Sequence, residues 1–271
     1  MSTATTHART DGGGAGHGTA ATTGGRPGIP FGRLLHVELR KLVDTASGRW
    51  LLITIGLVTA AAIGLVLVFA ERESLTFMTF LGATSTPLML LLPVLGILTA
   101  TSEFSQRTGL VSFTQEPRRL RVVAAKAVAT CLVAVLAVAL AVALAAAANG
   151  LAMAIKDAPG TWPTEWAPIG GVLLAMILSV LQGVAFGLLI VVPGAAIAAF
   201  FILPTVLTIL TASVAWFRDA APWIDTSRST APLLSGEMTG TDWQHLATSY
   251  GLWVLLPLVV GSALLARREI K

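Results

Sequence analysis

"WAPIGGVLLAMILSVLQGVAFGLLIVVPGAAIAAFFILPTVLTILTASVAWF", residues 166–217, runs for 52 residues without a charge. As one helix it would measure about 78 Å, more than twice the roughly 30 Å hydrocarbon core of a bilayer. It therefore cannot be a single crossing. "VVPGA" at 191–195 offers the break, because Pro193-Gly194 favours a turn. The stretch thus folds as two membrane spans joined by a tight connection.

The same ruler divides the rest of the chain, since a charge at mid-bilayer costs several kcal/mol. Residues 50–70, 74–102, 127–155 and 243–266 are also free of Asp, Glu, Lys and Arg. Six spans result, at about 50–70, 77–101, 123–149, 169–192, 195–217 and 248–266. Composition supports the class. Of 271 residues, 55% are hydrophobic and only 12% charged, with a mean hydropathy of +0.79. A soluble domain carries about a quarter charged residues. The expected fold is an all-α polytopic membrane protein with six transmembrane helices.

Charge also predicts orientation. With both termini cytoplasmic, fourteen Lys and Arg lie inside and only Arg72, Lys156, Arg218 and Arg228 lie outside. Trp162, Trp166, Trp216, Trp223, Tyr250 and Trp253 then fall near the outer interface as an aromatic belt. The expected location is the cell membrane, multi-pass. A pI of 9.8 does not point to nucleic acid, because the basic residues flank the spans instead of gathering in one soluble unit. Cys131 is the sole cysteine, so no intramolecular disulfide is available.

Residues 1–30 hold eight of the 26 glycines and few bulky apolar side chains. They read as a disordered Gly/Thr-rich arm, without the apolar h-region of a signal peptide. Residues 31–49, "FGRLLHVELRKLVDTASGR", follow helical spacing through Phe31, Leu34, Leu35, Leu39, Leu42, Val43 and Ala46. They predict an amphipathic helix along the cytoplasmic interface, with residues 50–271 forming the six-span domain. Glu38 falls on the apolar side of that helix. Two accounts are open: a local pair with Lys41 at i,i+3, or a contact with a partner or with the arginines that follow span two.

Those arginines belong to "EFSQRTGLVSFTQEPRRLRVVAAKA", residues 103–127. Glu103, Arg107, Arg118, Arg119, Arg121 and Lys126 accompany the apolar Leu110, Val111 and Phe113. Attraction to anionic lipid is one reading, worth about 1 kcal/mol per basic residue. The apolar and charged order favours the other, a short helix docking into a protein groove. Lipid contact is assigned to Lys126 and Arg121, nearest the third span, and docking to Arg107 through Arg119.

Within the spans, Ser179, Gly183 and Gly187 form a small face, suited to packing within the chain or between two copies. Gln182, Thr205 and Thr208 are the polar candidates for a substrate pathway, although hydroxyls there commonly bond backbone carbonyls. The outer loop 218–247 carries Asp219, Asp225, Glu237 and Asp242, read as solvated charges without metal-ligand spacing. Catalytic and metal residues are not expected. There is no G-x-x-x-x-G-K-[ST] phosphate loop, no H-E-x-x-H and no G-x-S-x-G elbow. No Asp, Glu, Lys or Arg lies within the charge-free stretches, where an ion-coupled carrier would place one, and their one histidine, His245, precedes the expected span 248–266.

Three stretches in order resemble the permease subunits of type-2 ATP-binding-cassette exporters, actinobacterial type. They are "HVELRKL", with Glu38 and Lys41 in a Glu-x-x-Lys pattern; "SEFSQRT" followed by "PRRLRVVAAK"; and "WIDTS" with the terminal "TGTDWQHLATSYGLWVLLPLVVGSALLARREIK". The likeness covers most of residues 31–271. Phe104 stands where Trp is frequent in that family, and Glu116 where an apolar residue is common. The resemblance implies a non-enzymatic subunit that forms the substrate pathway, with ATP bound by a separate ATPase. It further implies a second permease, identical or paralogous. Glu38, Lys41, Glu103, Arg107, Phe113, Arg118, Arg119 and Arg121 would couple to that ATPase through the interfacial helix and a coupling helix between spans two and three. The alternatives are an ion-coupled secondary carrier and a membrane-bound sensor or immunity protein that moves nothing.

Overall fold

The computed structural model describes residues 29–105 and 119–267, and every regular element among them is helical. The chain order is α1 Phe31–Asp44, α2 Ala46–Phe69, α3 Phe77–Ser105, α4 Arg119–Lys156, α5 Ala167–Ile190 and α6 Pro193–Ser213. There follow α7 Ala215–Ile224, α8 Thr226–Ser235, α9 Gly240–Tyr250 and α10 Leu256–Arg267. A π-helical turn, Gly251–Leu255, makes α9 and α10 one continuous rod. Pro257 follows it without an N–H to offer, so the helix widens where its ladder is interrupted. Six of these helices are long and apolar enough to cross a membrane.

The break inside the long uncharged stretch falls at Val191-Val192. Val191 adopts φ 67°, ending α5 with a left-handed residue, and Pro193 opens α6 at its first position. Pro193-Gly194 is thus not the turn itself. Proline is pre-organised for a first helical position, where its missing N–H leaves no bond unmade.

Burial separates the six. Within their most apolar windows, α3 and α5 are each 56% buried, whereas α2 and α6 reach only 11% and 17%. The two central helices approach backbone to backbone. A Cβ on Gly183 of α5 would overlap the Pro93 carbonyl of α3, and one on Gly96 would lie 2.6 Å from the Val180 carbonyl. Such contact needs glycine on both helices. The main core gathers Leu88, Leu92 and Leu95 of α3 with Val138 of α4 and Met176 and Val180 of α5. Leu42 of α1 joins the same cluster, so α1 is packed into the bundle rather than lying free on it.

The loop 218–247 of the sequence reading is mostly helical. Here α7, α8 and the start of α9 form a cap over one end of α5. Gly236 ends α8 at φ 78°, a conformation glycine accepts at no steric cost. Gly171 of α5 meets the Leu233 carbonyl of α8 directly, and Leu233 is buried. Thr239 and Asp242 build a reciprocal capping box that starts α9 eight residues before the expected span.

Candidate functional site

At the end of the bundle that carries α1, three helices meet around one ammonium group. Lys126 of α4 is 1% exposed. Its Nζ donates to Glu38 Oε2 of α1 at 2.8 Å and to the Thr99 carbonyl of α3 at 3.2 Å. The other carboxylate oxygen, Oε1, accepts from Lys41 Nζ at 2.7 Å. Glu38 is itself 4% exposed. Burial pushes its carboxyl up, but the ammonium groups of Lys126 and Lys41 outweigh burial and hold its pKa below the ordinary carboxylate value. Nearby, Arg121 Nη2 donates to the Ile29 carbonyl at 2.8 Å and ties the first turn of α4 to the residues just before α1.

Local sequence explains the convergence. Leu35, Leu39 and Leu42 direct one side of α1 inward, and helical spacing places Glu38 on that same side. An unpaired carboxylate there would be costly, so Glu38 requires a buried cation. Lys126 supplies it from among Val122, Ala125 and Ala129, all buried. The lipid contact assigned to Lys126 is therefore wrong: its apolar i±3 and i±4 neighbours face the core and carry it inward. The local account of Glu38 describes part of the arrangement: it pairs with Lys41, and it also reaches Lys126 of the segment after span two. The side chains of Glu103 and Arg119, with Arg107, Phe113 and Arg118, lie outside the described residues, as do residues 1–28 and most of the expected coupling helix.

The second concentration of polar groups lies deeper. A chamber of about 380 Å³, open on one side, lies between α3, α5, α6, α8 and α9. Ser179 and Gln182 of α5 line it, opposite Thr205 of α6, with Thr230 of α8 and Tyr250 of α9 on a third side. Gln182 is 4% exposed, and no hydrogen bond of its amide is found among the described residues. The other groups are largely engaged. Thr205 Oγ1 donates to the Phe201 carbonyl at 2.7 Å, and the Thr230 and Tyr250 hydroxyls are 3.1 Å apart.

Thr208 does not join this chamber. Its hydroxyl lies 3.0 Å from the Pro204 carbonyl and 3.2 Å from Asp225 Oδ2. Asp225 is fully buried and its Oδ1 accepts from the Ser227 N–H as the N-cap of α8. Reading Asp225 as a solvated charge is therefore incorrect. Asp225→Ala should cost about 1–2 kcal/mol through the lost cap, and Asp225→Asn much less, as measured by unfolding in detergent. Among the described residues no three His, Cys, Asp or Glu side chains gather as a metal site would require.

Ser179, Gly183 and Gly187 also divide. The two glycines face α3 of the same chain, with Ala100 Cβ 2.7 Å from a Cβ placed on Gly187, whereas Ser179 faces the chamber. The aromatic belt divides likewise. Trp162, Trp166 and Trp216 are exposed, but Tyr250 is buried. Trp253 stacks on Phe186 at 6.1 Å and donates its Nε1–H to the Ile224 carbonyl at 2.7 Å. Indole and phenol here fasten the helical cap to the bundle. Compared with known proteins, the chain matches no family and no curated sequence.

Proposed function

We propose that this chain is the membrane permease subunit of an ATP-driven exporter, taking its energy from a separate ATP-binding subunit. The observation that carries the reading is the Glu38–Lys126 pair. It links α1, α3 and α4 at one point, on either side of the polar segment 106–118. A push on that segment cannot move α4 without also moving α1, because the buried charges must travel together or separate at high cost. That is the property needed of an element that receives motion from a partner. The chain lacks a phosphate-binding loop of its own, and its motifs resemble those of type-2 ATP-binding-cassette permeases. Both termini and the segment 106–118 are proposed to face the cytoplasm of a cell-membrane protein, with a second permease completing the pathway. No catalysis belongs to this chain, and ATP is held by the partner.

A secondary carrier would draw on the same buried pair as its proton or ion site. The lowered pKa of Glu38 speaks against it, since the carboxyl stays charged throughout the neutral range. The decisive experiment is purification from native membrane with mass spectrometry, followed by transport assays in vesicles. An ATPase should co-purify, and transport should stop on ATP depletion and survive collapse of ion gradients. Reversing charge at both Arg118 and Arg119 to Glu should leave insertion intact and uncouple ATP hydrolysis from transport. Gradient-dependent transport without an ATPase would establish the carrier instead.

A further inference from the structure

The chamber lined by Gln182 is chemically specific in what it offers. No Asp, Glu, Lys or Arg side chain lines it, so a charged group entering would lose its hydration without gaining a counter-ion. Gln182 is the one deeply buried polar side chain in its wall for which no hydrogen bond is found among the described residues. A primary amide offers both a donor and an acceptor. Its natural complement is another group that does both, a hydroxyl or an amide.

Besides the hydroxyls of Ser179, Thr205, Thr226, Ser227, Thr230 and Tyr250, the wall is apolar, with Phe200, Phe201, Met89 and Leu234 as its bulky groups. Beside the chamber, Phe201 and Thr205 are exposed on a face of α6 that also presents Ile202, Val206 and Ile209. That face is suited to lipid and not to water. A molecule reaching Gln182 past Phe201 therefore arrives from the apolar phase. The volume, about 380 Å³, falls within the roughly 300–1,000 Å³ of known small-molecule sites.

We propose that this chamber binds a neutral amphipathic molecule, entering from the bilayer, whose hydroxyl or amide head bonds Gln182 and whose apolar body rests against Phe200, Phe201 and Leu234. That the molecule is exported cargo rests on the permease reading above; that it binds does not. Binding needs neither ATP nor a partner, so a failure here and a failure of the exporter assignment are separately visible.

The test uses the full chain in phosphatidylcholine nanodiscs with three photoreactive probes of one chain length, each carrying a diazirine. They are a monoacylglycerol, a fatty acid and an alkyltrimethylammonium. The monoacylglycerol should label α5 around residues 175–182 and α6 around residues 200–205, and unlabelled monoacylglycerol should compete. The near-isosteric Gln182→Leu should weaken that competition about three- to tenfold, the effect of one hydrogen bond. Ser179→Phe, which narrows the chamber one turn from Gln182, should weaken the labelling. The charged probes should label these segments far less. Labelling spread over outward residues such as Leu57, Leu136 and Val259 without competition would overturn the proposal. So would equal or stronger labelling by a charged probe, or a Gln182→Leu variant that competes like the parent. The mapping on the unsubstituted chain decides the first two of these even if a variant fails to insert.

Discussion

Glu38→Ala should destabilise the bundle by about 3–5 kcal/mol, the cost of leaving a buried charge without its partner. The substitution removes both oxygens that Lys126 and Lys41 share and leaves the Lys126 ammonium inside the junction of α1, α3 and α4. Lys126→Met should also be severe, and Lys41→Met milder. The Lys41 side chain is 34% exposed against 2% for Lys126, so water already screens the Lys41 contact. Glu38→Met with Lys126→Met should recover most of the loss, because a buried pair replaced by apolar groups of similar volume is commonly neutral. SDS titration of the protein in mixed micelles reads all four. Acid provides an independent check. The folded pKa of Glu38 lies below its unfolded value, so its stabilisation is complete above the unfolded pKa of about 4.3. It fades as pH falls through the folded pKa. The parent should lose stability in that acid window, and the doubly substituted protein should lack that component. If the pair also transmits motion, the double variant should remain folded and still fail to couple ATP hydrolysis to transport.

The spans were legible because charge exclusion from a bilayer is a large energy and works residue by residue. No packing information is needed to see that residues 166–217 must turn back, and the proline in "VVPGA" marks the place to within two residues. The cap was less legible. Residues 218–247 carry Asp219, Asp225, Arg228, Glu237 and Asp242, and the same ruler reads any such stretch as solvated loop. Yet Asp225 is buried as an N-cap, and its charge meets a backbone N–H and the Thr208 hydroxyl instead of water. Local signals did exist: Thr239-x-x-Asp242 has the form of a capping box, and Gly236 suits a helix terminus.

Lys126 illustrates the remaining gap. Position relative to a span predicted lipid contact, whereas packing followed its helical neighbours Val122, Ala125 and Ala129, which are buried. A lone acid and a lone base, each embedded in an apolar helix face, are candidates for one another whatever their separation in sequence. Glu38 and Lys126 are 88 positions apart. Gln182 and Thr205 were visible as polar residues in apolar helices. That they line one chamber, while Thr208 turns to Asp225, depends on how α6 and α8 are rotated against α5, and no pattern in either helix encodes that rotation.

Gly183→Ala should cost at least about 2–3 kcal/mol, a large penalty for one methyl group, because overpacking here meets backbone and not a side chain that can rotate away. The added carbon would overlap the Pro93 carbonyl. Moving α5 outward to make room would open the reciprocal contact at Gly96, where a Cβ would lie 2.6 Å from the Val180 carbonyl. Since α3 and α5 are the two most buried spans, the displacement spreads through the core instead of being absorbed at the rim. Gly187→Ala should cost less, as a Cβ there would lie 2.7 Å from the Ala100 methyl group and 2.9 Å from the Ile97 carbonyl, both looser than the overlap at Gly183. Gly170→Ala, on the same helix with nothing within 4 Å, should be neutral or slightly stabilising through helix propensity. That ordering, Gly183 above Gly187 above Gly170, separates close packing from any general intolerance of α5 to substitution. Gly183 is adjacent to Gln182, and Pro93 lies one turn from Met89 in the chamber wall. Separation of α3 and α5 should therefore also weaken monoacylglycerol competition in Gly183→Ala and leave it intact in Gly170→Ala. A Gly183→Ala protein as stable as its parent would mean that α3 and α5 do not meet along this face.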